Sequence, residues 1–480
     1  MSAWAERARG PRPAFSIAGL LRAYRAGVLQ PSEVAVEVSE RIERDAEPAW
    51  ITTVAPEDLL AAARALERRP DRDLPLYGIP FAIKDNIDAA GMPTTAGCPG
   101  FAYVADVTAT AVRRLLDAGA LLVGKTNMDQ FATGLVGTRS PYGACSSVYD
   151  PDRVSGGSSS GSALAVALGQ VAFGLGSDTA GSGRVPAAFN GLVGVKPTRG
   201  LVSTHGMVPA CASLDCVSIL ATGVEDAAAV LDVIAGFDPL DPWSRRAPAP
   251  APGRAPGRAP GIPPPPAPRA RIGIPLPGQA EPDEPEATAA WATALGCAAT
   301  DWTLVPLDVS PLLDAAPLHY AAWVAERTSH LAATIAAEPE GLDPTVAAII
   351  RGGAERTAVE VFDAVHRLAE LRAASAPLWE EVDAVLLPTA PLHPTHAEVV
   401  ADPIGINDRL GRFTNFVNLI DLAALAVPAR PRRDGLPFGV TLLAPAFQDR
   451  VLLELGGQWL AGSEAQAPSG RLESWFPLKT

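Results

Sequence analysis

The sequence of 480 residues predicts an α/β fold in which helices cover both faces of a central sheet. The first observation behind this prediction is that, from Leu76 onward, short apolar runs alternate with helical segments. These runs are continuous instead of alternating in polarity, which is typical of strands buried on both faces. The second observation is the composition, because 48% hydrophobic and 19% charged residues suffice for a large core.

Three helices are predicted in residues 1–70, and we expect this segment to pack on the core. Ser16 is a candidate N-cap of the first helix, Pro31 opens the second, and Pro56 lies in the first turn of the third. The strands predicted after this segment cover residues 80–85, 120–125, 171–176, 192–195, 271–275, 302–307, 384–388, 422–428 and 438–444. The helices predicted between them cover residues 109–119, 162–169, 225–236 and most of 319–374.

One large domain is predicted from residues 71–244 and 271–460, because the same strand and helix pattern resumes after an interruption. The interruption, residues 245–270, consists almost entirely of Pro, Ala, Gly and Arg. Its prolines block helical and strand hydrogen bonding alike, so we expect an extended or disordered surface insertion. Residues 461–480 are predicted to be a C-terminal tail.

The charge and cysteine content exclude several classes of protein. The 39 basic and 53 acidic residues give a net charge of −14, which argues against a partner such as nucleic acid or an anionic membrane. The five cysteines are odd in number and lack CxxC spacing, so a reduced cytoplasmic protein without a zinc site is expected. No secretory signal is recognisable, and no run reaches the roughly 18 apolar residues of a membrane span.

Two Gly/Ser clusters, residues 156–162 and 176–183, indicate a site where the backbone approaches a ligand closely. The second cluster follows a predicted strand and precedes a predicted helix. Successive N–H groups around Ser182 can hold an oxyanion at such a place. The pattern therefore predicts a nucleophile and an anion site, while a glycine-rich turn without chemistry is an equally good interpretation of these residues alone.

Lys84 is a candidate base, because it ends a predicted buried strand and burial lowers the pKa of a lysine. A surface lysine is the simpler interpretation of this residue by itself.

Two segments match known functional motifs letter by letter, but these matches are weaker indications of function than the composition of the Gly/Ser clusters. Residues 119–126 match a phosphate-binding loop, but the variable positions are typical of a strand. Residues 157–161 match G-x-S-x-G, but a polar loop precedes them and no histidine lies in a distinctive pattern, so a Ser–His–Asp hydrolase is a weak alternative.

Four segments together resemble the amidase signature family, namely GIPFAIKDN (78–86), GKTNMDQFATG (124–134), SGGSSSGSA (155–163) and GSDTAGSGRVPAAFNGLVGVKPTRG (176–200). The resemblance extends from Tyr77 to Ala444 apart from the proline-rich insertion. It implies an α/β/α layered domain whose central sheet is mixed, mostly parallel and flanked by helices. It also implies an amide hydrolase with a Ser–cisSer–Lys triad that needs neither a metal nor an organic cofactor.

The resemblance implies a role for each residue that matches the family's motifs. Ser182 would be the nucleophile, Ser158 the bridging serine with a cis peptide, and Lys84 the base. The oxyanion would be bound by the backbone N–H groups of Thr179, Ala180, Gly181 and Ser182. The loop that bears the nucleophile would be held in shape by Asp178 and Arg184.

Within the family, residues 129–143, 208–219, 323–327, 409–428 and 434–447 are similar to allophanate hydrolases. This similarity implies hydrolysis of allophanate to ammonia and carbon dioxide in urea degradation. It implies that Arg327 binds the small polar substrate. The position of the subfamily's substrate-binding tyrosine is occupied by His319, with Tyr320 next to it, so either side chain is a candidate contact. The C-terminal domain found in many of these enzymes is not expected in this chain.

Three alternatives stay open at this point. Another amidase of the same family, or the A-type subunit of a glutamine-dependent tRNA amidotransferase, would use the same triad. A catalytically silent scaffold is disfavoured, because Lys84, Ser158 and Ser182 are all present. The partners expected are a small-molecule amide substrate and a second copy of the chain in a homodimer.

Overall fold

An eleven-stranded sheet organises the residues that the computed structural model describes, 15–248 and 269–462. The strands are β1 (Trp50–Thr53), β2 (Pro80–Lys84), β3 (Pro93–Thr94), β4 (Tyr103–Val104), β5 (Leu121–Thr126), β6 (Ser146–Ser147), β7 (Asp150–Val154), β8 (Phe173–Ser177), β9 (Val193–Lys196), β10 (Val217–Ala221), β11 (Arg271–Pro275), β12 (Thr303–Leu307), β13 (Ala384–Pro388), β14 (Leu422–Pro428) and β15 (Gly439–Pro445). The strand order of the large sheet is β1-β5-β2-β8-β10-β9-β14-β15-β13-β11-β12, and two small sheets pair β3 with β4 and β6 with β7.

Helices flank the large sheet and connect its strands. The α-helices are α1 (Ile17–Arg25), α2 (Pro31–Glu43), α3 (Pro56–Glu67), α4 (Thr110–Asp117), α5 (Ser160–Ala167), α6 (Arg184–Phe189), α7 (Val224–Ile234), α8 (Pro285–Asp301), α9 (Ser310–Leu313), α10 (Ala322–Ala336), α11 (Pro344–Gly353), α12 (Ala358–Ser375), α13 (Leu378–Glu381), α14 (His396–Ala401), α15 (Gly405–Leu410), α16 (Phe416–Leu419) and α17 (Asp449–Gly462). Four 3₁₀ turns cover Pro99–Phe101, Gln130–Ala132, Ala316–Tyr320 and Gly411–Phe413.

The predicted mixed sheet is confirmed, but its expected parallel majority is wrong for the described strands. Strand β2 is parallel to β5 and β8, and β11 is parallel to β12 and β13. The other six neighbouring pairs are antiparallel. A continuous apolar run reports only that both faces of a strand are covered, so it does not distinguish a parallel strand from an antiparallel one beneath two helical layers.

Burial on both faces is visible in β13. Ala384 and Leu386 belong to the larger hydrophobic cluster on one side of the sheet. Val385 and Leu387 belong to a second cluster on the other side, where side chains of α12 and α16 cover the strand. Successive side chains of a strand point to opposite faces, so both layers require apolar residues at every position. This explains the unbroken apolar sequence.

The N-terminal segment contains the three predicted helices and one strand that the prediction misses. The Ser16 side chain accepts a hydrogen bond from the N–H of Gly19, as expected of an N-cap. Between α2 and α3, β1 pairs antiparallel with β5 and forms one edge of the sheet. A strand of only four residues is too short to show a period in the sequence.

Strand β10, fifth in the sheet, has no counterpart among the predicted strands because Ser218 interrupts its apolar run.

Three segments lie outside the described residues, namely 1–14, 249–268 of the predicted insertion and 463–480 of the predicted tail. The domain limits at residues 70 and 460 stay predictions.

The fold brings the two Gly/Ser clusters close to Lys84, at the carboxyl ends of strands β2 and β8. Strands β2 and β8 are parallel neighbours, with Ile83 paired to Leu175, so their carboxyl ends lie side by side. Lys84 ends β2 and Ser177 ends β8. Helix α5 begins two residues after Ser158, and α6 begins two residues after Ser182.

Candidate active site

A buried lysine and two serines form the centre of the site. The Nζ atom of Lys84 donates hydrogen bonds to the Oγ atom of Ser158 at 2.7 Å and to the Oγ atom of Ser177 at 2.8 Å. The Gly157–Ser158 peptide bond is cis. Lys84 and Ser158 have no exposed surface, and Ser177 has almost none. Ser177 is absent from the predicted site, although its place at the end of a strand inside the second Gly/Ser cluster is a signal for it.

The environment of Lys84 favours its neutral form. Burial lowers the pKa of Lys84 from 10.5 to about 7, against the opposing charges of Asp129, Asp215 and Asp178. The Arg327 guanidinium lowers it further. Near neutral pH a substantial fraction of the amine therefore lacks its third proton and can accept one from a neighbouring hydroxyl.

The loop that bears Ser182 is built around the Asp178 carboxylate. Asp178 accepts hydrogen bonds from the N–H groups of Gly181 (2.7 Å) and Gly183 (3.1 Å). The Arg184 guanidinium donates to both of its oxygens at 2.9 Å. Burial acts to raise the pKa of Asp178, but the Arg184 charge and these hydrogen bonds hold it below its ordinary value. This geometry agrees with the supporting role expected of Asp178 and Arg184.

The four predicted oxyanion donors differ in their availability. Among the described residues, no hydrogen bond is made by the N–H groups of Thr179, Ala180 and Ser182, whereas the N–H of Gly181 donates to Asp178. Gly181 therefore shapes the loop and does not offer its N–H to a ligand in this structure. Ser182 itself lines a cavity of about 50 Å³, together with Thr179 and Ala180.

All three predicted substrate residues line the same cavity as Ser182. Arg327, on α10, is only 6% exposed. Its guanidinium donates to the carbonyl oxygen of Ala132 at 3.1 Å and to the Thr133 hydroxyl, and its remaining described acceptor is a thiol. None of these acceptors is a carboxylate. The charge of Asp215 interacts with Arg327, but no carboxylate accepts a hydrogen bond from the guanidinium among the described residues. Such a buried guanidinium, on the wall of a cavity, is suited to an anionic ligand.

His319 and Tyr320 occupy the cavity wall in different states. The Tyr320 hydroxyl accepts a hydrogen bond from the Nδ2 atom of Asn415 at 3.0 Å. The Nδ1 atom of His319 is buried and has no hydrogen-bond partner among the described residues. Burial, followed by the charge of Arg327, lowers the pKa of His319 to about 3, so its ring is neutral near pH 7. Both side chains therefore remain candidate contacts.

Two charged residues of the site were not predicted. Asp129 accepts hydrogen bonds from three backbone N–H groups of the following turn, including those of Gly137 and Arg139. The Arg139 side chain is buried, lines the cavity and donates to the carbonyl oxygens of Thr133 and Pro403. Both residues lie in a segment that resembles the family, but their environment depends on contacts that the sequence does not reveal.

The alternative motifs do not form sites of their own. Lys125, in the literal phosphate-loop pattern, lies inside β5 with its Nζ atom 3.4 Å from Asp85. Ser159, in G-x-S-x-G, donates its hydroxyl to the Ser177 carbonyl, and its N–H donates to the Ser182 carbonyl at 3.2 Å. No histidine is hydrogen-bonded to either serine cluster within the described ranges.

Neither a metal-binding cluster nor a membrane-spanning helix occurs in the described part of the chain. No group of three or more His, Cys, Asp or Glu side chains in residues 15–248 and 269–462 is arranged to hold a metal ion. Across the same ranges, no helix combines the length and the apolar character that crossing a membrane requires.

The layered mixed sheet and the contact between Lys84 and Ser158 are features expected of an amide hydrolase, and comparison with known proteins shows that class. A family model described as Amidase matches residues 33–453. The chain therefore belongs to the amidase family.

The similar proteins include enzymes named for urea or allophanate and subunits of tRNA amidotransferases. Urea amidolyase of Saccharomyces cerevisiae is 44% identical over 419 residues, 86% of this chain but only 22% of the yeast protein. The solved allophanate hydrolase of Kluyveromyces lactis is 38% identical with a TM-score of 0.84, covering 94% of this chain and 73% of that one. The A-type subunit of the glutamyl-tRNA(Gln) amidotransferase of Chloroflexus aggregans is 37% identical over 437 residues, which are 84% of this chain and 87% of that protein.

Proposed function

We propose that this chain hydrolyses allophanate, urea-1-carboxylate, to ammonia and carbon dioxide. The observation that supports this substrate most directly is Arg327, a buried guanidinium in the cavity of Ser182 whose described hydrogen-bond acceptors include no carboxylate. It favours a small amide that carries its own carboxylate. The similarity to a urea amidolyase and to an allophanate hydrolase favours allophanate among such amides.

In the proposed reaction, neutral Lys84 takes a proton from Ser158 while Ser158 takes one from Ser182. The Oγ atom of Ser182 then forms a bond to the terminal amide carbon of the substrate. The N–H groups of Thr179, Ala180 and Ser182 bind the resulting oxyanion. As the C–N bond breaks, Ser158 returns the proton to the leaving group, which departs as ammonia.

The acyl group on Ser182 is next removed by water, which the Lys84–Ser158 pair deprotonates in the same way. The product is N-carboxycarbamate, which decomposes to ammonia and carbon dioxide. Throughout the reaction Arg327 pairs with the substrate carboxylate, because the planar guanidinium can donate two parallel hydrogen bonds to it. In this proposal Asp178 and Arg184 keep the Ser182 loop in shape.

The activity should depend on pH through Lys84. Below about pH 7 the amine carries its third proton and cannot accept another, so kcat/KM should rise with pH through a midpoint near 7. Initial rates of ammonia release between pH 5.5 and 9, corrected for spontaneous decay of the substrate, measure this profile. A rate that is independent of pH over the range, or one that still rises about ten-fold per pH unit at pH 9, would contradict the assignment.

Replacing Arg327 by methionine should affect charged and uncharged amides differently. Loss of a charge-assisted hydrogen-bonding partner should lower kcat/KM for allophanate by about 10–100-fold, mainly through KM. The slow hydrolysis of an uncharged amide such as propionamide should change little, which makes it the internal control. Equal losses for both amides would mean that Arg327 does not bind the carboxylate.

The choice between this function and the amidotransferase alternative rests on a substrate panel. Similarity over 87% of the A-type chain of an amidotransferase favours glutamine as the second candidate. Ammonia release by the purified chain from allophanate, malonamate, biuret and glutamine should be greatest with allophanate. Release from glutamine alone would favour the amidotransferase. The expected homodimer and cytoplasmic location stay predictions.

A further inference from the structure

We propose that Asn418 is a positioning residue that aims the N–H groups of Thr179 and Ala180 at the Ser182 cavity. Asn418, in α16, has no exposed surface and does not line the cavity. Its Nδ2 atom lies 2.7 Å from the carbonyl oxygen of Asp178 and 2.9 Å from those of Thr179 and Leu214. The proposal rests on the proposed function, because it assigns a role within the same oxyanion site.

Because the peptide bond is planar, these contacts to carbonyl oxygens also fix the direction in which the neighbouring N–H groups point. In a trans peptide, the carbonyl of one residue and the N–H of the next point in opposite directions. Since Asn418 holds the carbonyls of Asp178 and Thr179 towards itself, the N–H groups of Thr179 and Ala180 must both point away from it. Those are two of the three N–H groups that have no hydrogen-bond partner among the described residues. Successive N–H groups that point the same way form an anion-binding concavity.

The neighbouring peptide shows what happens when a different side chain holds the carbonyl. The Thr414 hydroxyl donates to the carbonyl oxygen of Ala180 at 2.7 Å, and the N–H of Gly181 on the opposite side meets the Asp178 carboxylate. Gly181 has φ +126, and a Cβ atom there would collide with the Thr414 hydroxyl, so only glycine suits this turn. The loop is therefore held from its carbonyl side, and Asn418 governs the part that faces the cavity.

The amide of Asn418 is oriented entirely by the carbonyl oxygens around it. Three carbonyl oxygens surround Nδ2, so the amide must present its NH₂ group to them, and its two hydrogens are shared among three acceptors. As a result, Oδ1 is buried without a partner among the described residues. An unpaired buried acceptor is costly, so the hydrogen bonds that Nδ2 donates must offset that cost.

The test compares two Asn→Asp variants of similar burial. Asn418→Asp removes both amide hydrogens and places carboxylate oxygens against carbonyl oxygens. The carbonyls of Asp178 and Thr179 should therefore rotate away from residue 418, and the N–H groups of Thr179 and Ala180 should no longer point into the cavity. We expect kcat for allophanate to fall by about 10²–10³-fold, the effect of losing oxyanion donors, while KM stays within about two-fold. Asn190→Asp is the matched control. Asn190 is fully buried and its Nδ2 donates to the carbonyls of Ser155 and Pro186, away from the Thr179–Ala180 peptides.

Further measurements separate positioning from loss of stability. Thermal melting should show comparable destabilisation of the two variants, while only Asn418→Asp loses kcat beyond about five-fold. The inhibition constant of malonate, a carboxylate without a reacting amide, should not change in Asn418→Asp. If Asn418→Asp does not fold, Asn418→Ala, which introduces no repelling charge, should show the same loss of kcat. A folded Asn418 variant with the kcat of Asn190→Asp would overturn the proposal, whereas a wild-type chain that hydrolyses none of the amides would instead refute the proposed function.

Discussion

Ser182→Ala is expected to lower kcat for ammonia release from allophanate by on the order of 10⁶-fold, the loss that follows removal of a nucleophilic serine. The folded state should tolerate this change, because the Ser182 hydroxyl makes no hydrogen bond among the described residues. The hydrogen bond that Ser182 makes to the first Gly/Ser cluster uses its carbonyl oxygen, which the variant keeps. Steady-state ammonia release and thermal melting of the same preparations measure both quantities.

The matched control is Ser218→Ala. Ser218 is buried in β10, next to β8, and its hydroxyl also has no described partner, so its removal should leave kcat nearly unchanged. Labelling with a fluorophosphonate gives a second readout, because the mass of one adduct should appear on wild type and on Ser218→Ala but not on Ser182→Ala. An adduct on Ser182→Ala, or ammonia release within ten-fold of wild type, would reject Ser182 as the nucleophile.

Lys84→Met should lower kcat by about 10²–10⁴-fold, the range that general acid–base catalysis supplies. The methionine fills similar space without an amine, so no group remains to take the proton from Ser158. The rise of activity through pH 7 should also disappear, because the titrating group is gone. Ammonia release measured from pH 5.5 to 9 tests both expectations on one variant.

Lys196→Met is the control for burial. Lys196 is also fully buried and burial lowers its pKa, but its Nζ atom donates to the Pro197 carbonyl at 2.8 Å and to the Cys216 thiol, and to no serine hydroxyl among the described residues. We expect it to retain the pH profile and most of the activity. If Lys84→Met kept the wild-type midpoint, or if Lys196→Met lost it, the base would have to be sought elsewhere.

Much of the fold could be predicted because burial on both faces leaves a strong trace in the sequence. The seven residues of β14 are all buried and all apolar or proline, and the predicted strand 422–428 coincides with it. Strand direction leaves no comparable trace, because the same apolar run serves parallel and antiparallel neighbours. β1 and β10 were missed for local reasons, namely short length and an internal serine.

The candidate site could be located from its motifs, but its internal geometry could not. The Gly/Ser clusters and Lys84 follow from residue type and resemblance, and the structure places Lys84 and Ser158 in direct contact. The N–H of Gly181 differs from those of its neighbours because it already donates a hydrogen bond to Asp178, and this contact is invisible in the sequence. Asn418 lies more than 230 residues from the loop it holds, so only the folded chain reveals the contact.

The origin of Arg327 has a consequence for how such enzymes diverge. In the proposed function the reacting groups all come from residues 84–182, whereas Arg327 is supplied by α10, which packs chiefly on α11. The proposed selecting group and the proposed reacting groups therefore lie on different elements of the fold. Substitutions on α10 can therefore change which amide is bound without disturbing the residues that react with it. Descendants of one ancestral chain can in this way keep the same reaction and differ in their amide substrates.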